Sequence, residues 1–157
     1  MTKDELALKL QNKFGSALEA QASNQPELLF YISREKYHDL CRFLKDDPEL
    51  DFDFIVILCG VHYPESRFEV VLCLSSHEKK HELIAKVKLD KDNPEIESVC
   101  DIWLGASWHE RETIELFGIN FLNHPDPRPL LLYEGWEYGF PMRKGWTGPD
   151  FIPLPEK

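Results

Sequence analysis

The sequence lacks a long apolar run, and the longest one, residues 54–59, has only the length of a β-strand. A membrane-spanning helix needs roughly 20 apolar residues, so the sequence predicts none. Positive charge is scarce as well, because 18 lysines and arginines stand against 28 aspartates and glutamates, a formal net charge of −10. Such an excess of negative charge repels nucleic acid and anionic lipid. We therefore expect no nucleic-acid partner, and membrane contact only through other proteins.

Glycine-rich loops and cysteine ligand motifs are also missing. No stretch resembles a phosphate-binding loop, so no nucleotide, nicotinamide or flavin site is expected in this chain. The cysteines, Cys41, Cys59, Cys73 and Cys100, are widely spaced and form no C-x-x-C pair. We interpret them as small packing residues in a reduced compartment, with iron–sulfur or zinc ligation as minor alternatives. The N-terminus has no basic region followed by an apolar stretch, so no secretory signal is predicted.

What the sequence does contain is an alternation of helix and strand patterns that predicts an α+β fold. Apolar spacing predicts helices over residues 3–20, 33–47 and 103–117, and apolar or alternating runs predict strands over residues 28–32, 52–61, 67–74, 83–89 and 96–99. We expect a mixed four- to five-stranded sheet with helices packed on one face. The strand at 52–61 is so apolar that we expect burial on both of its faces.

The C-terminal part of the chain has a different character. Seven of the eleven prolines lie beyond residue 118, among them Pro125, Pro127 and Pro129, whose alternation forbids a helix. Aromatic residues are interleaved with these prolines, whereas disordered tails are poor in aromatics. We therefore divide the chain into a compact head, residues 1–118, and an extended C-terminal arm, residues 119–157, which lies in a groove of its own or of a partner.

The helix before the C-terminal arm carries closely spaced charges. Glu112 and Glu115 lie three residues apart, so both can share one helix face, and Gly118 stands where glycine ends a helix in the left-handed conformation. Neighbouring carboxylates suggest acid–base chemistry, but one short helix builds no cleft for a substrate. We expect instead a charge network with Arg111, Arg128 or a partner's arginine, which serves orientation more than stability.

Two ordered blocks of residues span this helix and the arm. The first block consists of Glu110-Arg111-Glu112, Glu115, Leu116-Phe117, His124, Arg128 and Leu130-Leu131. The second consists of Glu134-Gly135-Trp136 and Gly139-Phe140-Pro141-Met142-Arg143-Lys144, with the extra pair Glu137-Tyr138 before Gly139. These blocks resemble the signature of the C subunit, or thirty-kilodalton subunit, of the proton-pumping NADH:quinone oxidoreductases, respiratory complex I. The resemblance is strong over residues 103–146 and only architectural over residues 1–100.

The resemblance implies a cofactor-free scaffold protein in the peripheral arm of complex I. Such a protein packs on the D subunit, which holds the quinone site, and supports the B subunit, which bears the terminal iron–sulfur cluster. Iron–sulfur clusters, FMN and quinone are then expected in partner subunits, and NADH or ferredoxin is the electron donor. The implied location is the cytoplasmic face of an inner or thylakoid-type membrane, held through partners. The equivalent subunit of a membrane-bound energy-converting hydrogenase is the alternative.

The resemblance also implies which residues serve the interface or the local structure. They are Glu110, Arg111, Glu112, Glu115, His124, Arg128, Arg143 and Lys144. From the residues themselves, His124 before Pro125 is held extended, and we expect it to be a hydrogen-bonded anchor. The adjacent Arg143 and Lys144 favour a cation–π contact with Trp146 or an acidic patch on a partner, with a solvated surface as the alternative.

One motif points to another class of protein. His77 and His81 match the H-E-x-x-H pattern, in which a helix places two histidines on a zinc ion and a glutamate beside the bound water. A zinc hydrolase is therefore a remote alternative. The motif lies between two predicted strands, so we expect a polar hairpin connection instead.

Overall fold

The computed structural model describes residues 1–24, 26–149 and 151–152. Within these ranges the α-helices are α1 Lys3–Phe14, α2 Tyr37–Asp46 and α3 Ala106–Phe117. The strands of the same ranges are β1 Leu18–Ala20, β2 Leu28–Ile32, β3 Phe54–Tyr63, β4 Arg67–Ser75, β5 Glu82–Asp90, β6 Glu95–Glu97 and β7 Asn120–Leu122. Short 3-10 turns, Gly15–Ala17 and Arg34–Lys36, precede β1 and α2.

Five of the strands form one mixed sheet in the order β1-β2-β5-β4-β3. The successive strands β3, β4 and β5 pair antiparallel because short turns join them, whereas β2 and β5 run parallel. The predicted α+β fold with a five-stranded mixed sheet is confirmed. β6 and β7 form a separate parallel pair. Because β6 precedes α3 and β7 follows it, this pairing places the residues after α3 beside those before it.

The core lies on one face of the five-stranded sheet. Phe30 stands opposite Ala85, Ala85 opposite Leu72, and Leu72 opposite Leu58. All four side chains are buried. Helices α1 and α2 add buried side chains to the same cluster, namely Leu6, Leu10, Tyr37, Leu40 and Leu44. Burial of each large apolar side chain contributes about 1.5–3 kcal/mol, which holds the helices on this face.

The first helix is shorter than its apolar spacing predicts. α1 ends at Phe14, Gly15 adopts a positive φ of 54°, and Leu18 enters β1 opposite Ile32. The prediction of a helix over residues 3–20 is therefore wrong beyond Phe14. Glycine adopts the positive φ without steric cost, so it turns the chain although an apolar residue follows at helical spacing.

The prediction that the strand at 52–61 is buried on both faces is also wrong. β3 is an edge strand, and Phe54, Val56 and Ile57 are exposed. A bulge between Ile55 and Ile57 shifts the register of its pairing with β4, while Leu58 still faces the core. An apolar run alone does not distinguish a central strand from an edge strand.

Candidate functional site

Helix α3 ends where the sequence predicts, and its end is packed tightly against the C-terminal arm. Gly118 adopts φ 71° and ψ 31°, and its N–H donates to the carbonyl of Ile114 at 2.9 Å. A Cβ atom at Gly118 would lie only 2.6 Å from the side chains of Phe140 and Arg143. Glycine is therefore required here both by the left-handed backbone and by the space that the arm occupies.

Glu115 holds the C-terminal arm through backbone groups. Its buried carboxylate accepts the N–H groups of Leu130, Leu131 and Leu132 at 3.0, 2.5 and 3.2 Å. Backbone N–H groups in an irregular segment need acceptors, and a carboxylate with two oxygens can take several. Within the described residues Glu115 therefore binds three main-chain donors and neither Arg111 nor Arg128, and its pairing with a partner's arginine stays a prediction.

Arg111, one helical turn before Glu115, binds the same segment through its carbonyl groups. Its Nε donates to the carbonyl of Arg128 at 2.8 Å, and its Nη2 donates to the carbonyl of Pro129 at 2.9 Å. The guanidinium also lies 5.3 Å from the ring centroid of Trp108. Residues four apart share a helix face, so Arg111 and Glu115 together hold residues 128–132 against α3.

Glu110 lies on another face of α3, is fully buried, and has different donors. Its carboxylate is fully buried and accepts the hydroxyl of Ser98 at 2.6 Å and the N–H of Val99 at 2.8 Å. The thiol of Cys100 donates to it at 3.3 Å. Burial raises the pKa of Glu110, and the hydrogen bonds from Ser98 and Val99 oppose that rise. Glu110 therefore fixes the loop after β6 to α3, and its hydrogen-bond partners among the described residues include no arginine.

His124 approaches Glu110 from the start of the arm. Its side chain is only 1% exposed, and its Nδ1 accepts the N–H of Asp126 at 3.0 Å. In the neutral ring the hydrogen therefore sits on Nε2, which lies 3.8 Å from Oε2 of Glu110 and has no hydrogen-bond partner among the described residues. The ring is thus held by one hydrogen bond beside a carboxylate, while its functional role stays a prediction.

Cys100, Glu110 and His124 bring together three donor types that zinc accepts. One ligand atom of each lies within 4.8 Å of the others. One observation opposes a metal ion there. A metal on Nε2 needs the ring hydrogen on Nδ1, but Nδ1 accepts from Asp126. Burial raises the pKa of the Cys100 thiol to about 12, and the thiol donates to Glu110. The cluster fits hydrogen bonding around a carboxylate.

Sequence reasoning missed the donors around Glu110. Ser98 and Cys100 lie in the loop between β6 and α3, and neither belongs to a recognised spacing with Glu110 or His124. The short pairing of β6 with β7 brings these segments together, and nothing in the local sequence predicts that pairing.

The H-E-x-x-H segment forms the turn between β4 and β5, as the hairpin prediction expects. Nδ1 of His77 lies 3.2 Å from the Asp53 carboxylate. His81 is buried, its Nε2 lies 2.6 Å from the carbonyl of Leu50, and its ring packs on Phe52. The two rings are held by different partners, and the segment is not a helix, so the arrangement does not support a zinc hydrolase.

The remaining predicted residues lie at the surface or bind the arm to the head. Glu112 is exposed, and Arg128 is 78% exposed with both guanidinium bonds on Asp126. Arg128 lowers the pKa of Asp126 to about 2. The Nε of Arg143 donates to the carbonyl of Phe117 at 2.7 Å, and the backbone N–H of Lys144 donates to Nδ1 of His62 at 2.9 Å.

The aromatic residues of the described part of the arm pack on one another. The rings of Trp136 and Trp146 stack at 6.1 Å, and Tyr133 and Tyr138 contact Trp136 edge-on. The indole N–H of Trp136 donates to the carbonyl of Gly139 and that of Trp146 to the carbonyl of Tyr138, each at 2.6 Å. Ring stacking and these two hydrogen bonds give the arm a defined shape without a helix or strand beyond β7 in the described residues.

Comparison with known proteins decides the family. The model of the family described as respiratory-chain NADH dehydrogenase, 30 Kd subunit, matches residues 30–151. The chain belongs to this family. Both signature blocks of the sequence lie within the matched residues, so the resemblance to the thirty-kilodalton subunit of complex I is confirmed.

Individual relatives agree with this membership. The chain is 42% identical over 138 residues to the C subunit of NADH-quinone oxidoreductase from Roseiflexus sp. strain RS-1. The matched residues cover 87% of this chain and 79% of that protein. It is 36% identical over 141 residues to the C subunit of F420H2 dehydrogenase from Methanosarcina mazei, and the matched residues cover 88% of each chain. A solved trypsin-resistant fragment of Nqo5 shares the fold, with a TM-score of 0.67 and 24% identity over 80% of this chain and 99% of that one.

None of the helices in the described ranges has both the length and the apolar character that crossing a membrane requires.

Proposed function

We propose that this chain is a cofactor-free scaffold protein in the peripheral arm of a proton-translocating NADH- or ferredoxin:quinone oxidoreductase. In this role it packs on the D subunit, which holds the quinone site, and supports the B subunit, which bears the terminal iron–sulfur cluster. FMN, iron–sulfur clusters and quinone belong to the partner subunits. Membership of the 30 Kd subunit family and the relatives named for NADH-quinone oxidoreductase support its place in such an enzyme complex.

The observation that carries the scaffold role is the use of the α3 charges within the chain. Glu110, Arg111 and Glu115 all bind main-chain groups or small polar side chains, which positions the arm and the loop after β6. A catalytic carboxylate must instead face a substrate. The charges of α3 therefore serve to shape a surface.

The surface that results is rich in exposed large apolar side chains. Leu104 is 88% exposed and Trp108 is 60% exposed, and they line one groove together with Phe54. On the arm, Leu131, Tyr133 and other apolar residues are also exposed. Contiguous exposed apolar residues mark interaction sites, and Trp and Tyr are enriched where binding energy concentrates. This surface suits attachment to other subunits.

The electron donor and the exact complex are separate questions. A relative named for F420H2 dehydrogenase shares as much of the chain as the relatives named for NADH. The equivalent subunit of an energy-converting hydrogenase is the second candidate. A partner with a donor-binding flavin subunit favours the first candidate, and a nickel-bearing partner favours the second.

The test is purification of a tagged copy from native membranes in mild detergent, with partners identified by mass spectrometry. We expect a quinone-site subunit, an iron–sulfur subunit and membrane subunits to be recovered together. Recovery of the chain alone would contradict the proposal.

A further inference from the structure

A positively charged groove lies between the head and the C-terminal arm. Its lining residues include His62, Lys91, Phe140, Arg143, Lys144 and Trp146. We call this site the basic groove. The chain as a whole carries a formal net charge of −10, so a site lined by three cationic side chains departs from the rest of the molecule.

The cations of the basic groove lack carboxylate partners. Neither Lys91, Arg143 nor Lys144 forms a salt bridge with a described residue. Glu65 is the acidic residue of the lining, and its side chain is exposed. Asp90, next to Lys91, directs its carboxylate at the backbone N–H groups of Asp92 and Asn93. Among the described residues, the positive charge of the groove is therefore left without a paired anion.

The basic groove is held in place by contacts from both of its sides. The guanidinium of Arg143 donates to the carbonyl of Phe117 and lies 4.9 and 4.3 Å from the ring centroids of Phe68 and Phe140. The N–H of Lys144 donates to His62, whose ring stacks on Phe68 at 4.6 Å. Desolvation and then the charges of Arg143 and Lys144 lower the pKa of His62. These contacts fix Arg143, His62 and the backbone of Lys144, while the side chains of Lys91 and Lys144 are exposed.

We propose that the basic groove receives an acidic polypeptide segment of a neighbouring subunit, an inference that rests on the scaffold function. Paired carboxylates of such a segment would meet Lys91 and Lys144, while its main chain lies along Phe140 and Trp146. A nucleic acid or an anionic membrane carries negative charge over an extended surface, and the acidic side chains elsewhere on this chain would repel it. A short acidic segment meets only the local positive charge.

Carbodiimide cross-linking of the native complex tests this contact, because the reagent joins a lysine to a carboxylate only when the two groups touch. We expect Lys91 or Lys144 to be joined to an aspartate or glutamate of another polypeptide. A complex that is recovered intact, with these lysines joined only to Glu65 or not at all, overturns the groove proposal and leaves the scaffold function standing. Recovery of the chain alone contradicts the scaffold function.

A second measurement on the purified chain needs no complex. Fluorescence anisotropy of a labelled octaglutamate peptide is compared for the wild type, Lys144→Glu and the control Lys79→Glu. Lys79 is exposed in the turn between β4 and β5, at the end of these strands that lies away from the basic groove. Because both variants replace a lysine by glutamate, they have the same net charge. We expect binding to weaken roughly tenfold for Lys144→Glu and to stay within twofold for Lys79→Glu.

Two results of the anisotropy experiment would overturn the proposal. One is an equal loss of affinity in both variants, which would mean that only net charge matters. The other is displacement of the peptide by inorganic phosphate at equal concentration, which would assign the groove to small anions.

Discussion

Replacing Glu115 by alanine should release residues 130–132 from α3 while the sheet stays intact. The substitution removes the acceptor for three backbone N–H groups. Hydrogen bonds to a charged group contribute about 1.5–3 kcal/mol each when buried. The three leucines are half-buried or exposed, so water can replace part of the loss. We therefore expect a total of about 2 kcal/mol rather than the sum of three bonds.

Hydrogen exchange measured by mass spectrometry reports this change directly. Each change of about 1.4 kcal/mol alters the equilibrium constant for local opening tenfold. A cost of about 2 kcal/mol therefore corresponds to roughly a 30-fold loss of protection from exchange. The loss should be confined to the amides of Leu130, Leu131 and Leu132, while the amides of β4 and β5 keep their protection.

The control is Glu112→Ala on the same helix. The side chain of Glu112 is exposed and makes no hydrogen bond with a described residue, so its replacement should change exchange by less than about twofold. Unchanged protection at residues 130–132 in Glu115→Ala would refute the argument that the carboxylate holds the arm. Equal loss of protection in β4 and β5 would show that the arm and the sheet unfold together.

Three further predictions test the remaining contacts. Gly118→Ala should lower the free energy of unfolding by about 2–3 kcal/mol because of the positive φ and the 2.6 Å contacts, whereas Gly135→Ala, with positive φ but open space, should cost about 1 kcal/mol in urea denaturation. The raised pKa of Glu110 means that the native state binds the proton more tightly, so stability falls as pH rises through the interval above 4.5. Glu110→Gln should flatten this fall in denaturation curves recorded across that interval, and an unchanged slope would contradict the assignment. Arg111→Ala should lower the amount of assembled complex on native gels several-fold with turnover per assembled complex within about twofold, and normal assembly without turnover would point to direct chemistry.

The predictable parts of this structure are those that local chemistry determines. Gly118 ends α3 because glycine adopts the left-handed backbone without steric cost, and short turns between β3, β4 and β5 dictate antiparallel pairing. The end of α1 was predictable in principle, since Gly15 is visible in the sequence, but Leu18 continues the apolar spacing and concealed it.

The partners of the α3 charges were not predictable in this way. A glutamate can pair with arginine, with a hydroxyl or with several backbone N–H groups, and sequence spacing within one helix does not choose among them. Glu110 pairs with Ser98 because the pairing of β6 with β7 places Ser98 nearby. The partners of Glu115 depend on the path of the arm past α3. The edge position of β3 is likewise set by the order of strands in the sheet.

The parallel pairing of β2 with β5 imposes an order in time during synthesis. β2 leaves the ribosome early, yet the neighbour that completes its ladder emerges only after α2, β3 and β4 have been made. Until then one side of β2 offers free backbone groups to any other strand nearby. The hairpin partners β3, β4 and β5 can meet as soon as they emerge, because their contacts are local. The edge of β2 that β5 covers in the folded protein therefore stays unpaired until β5 has been made.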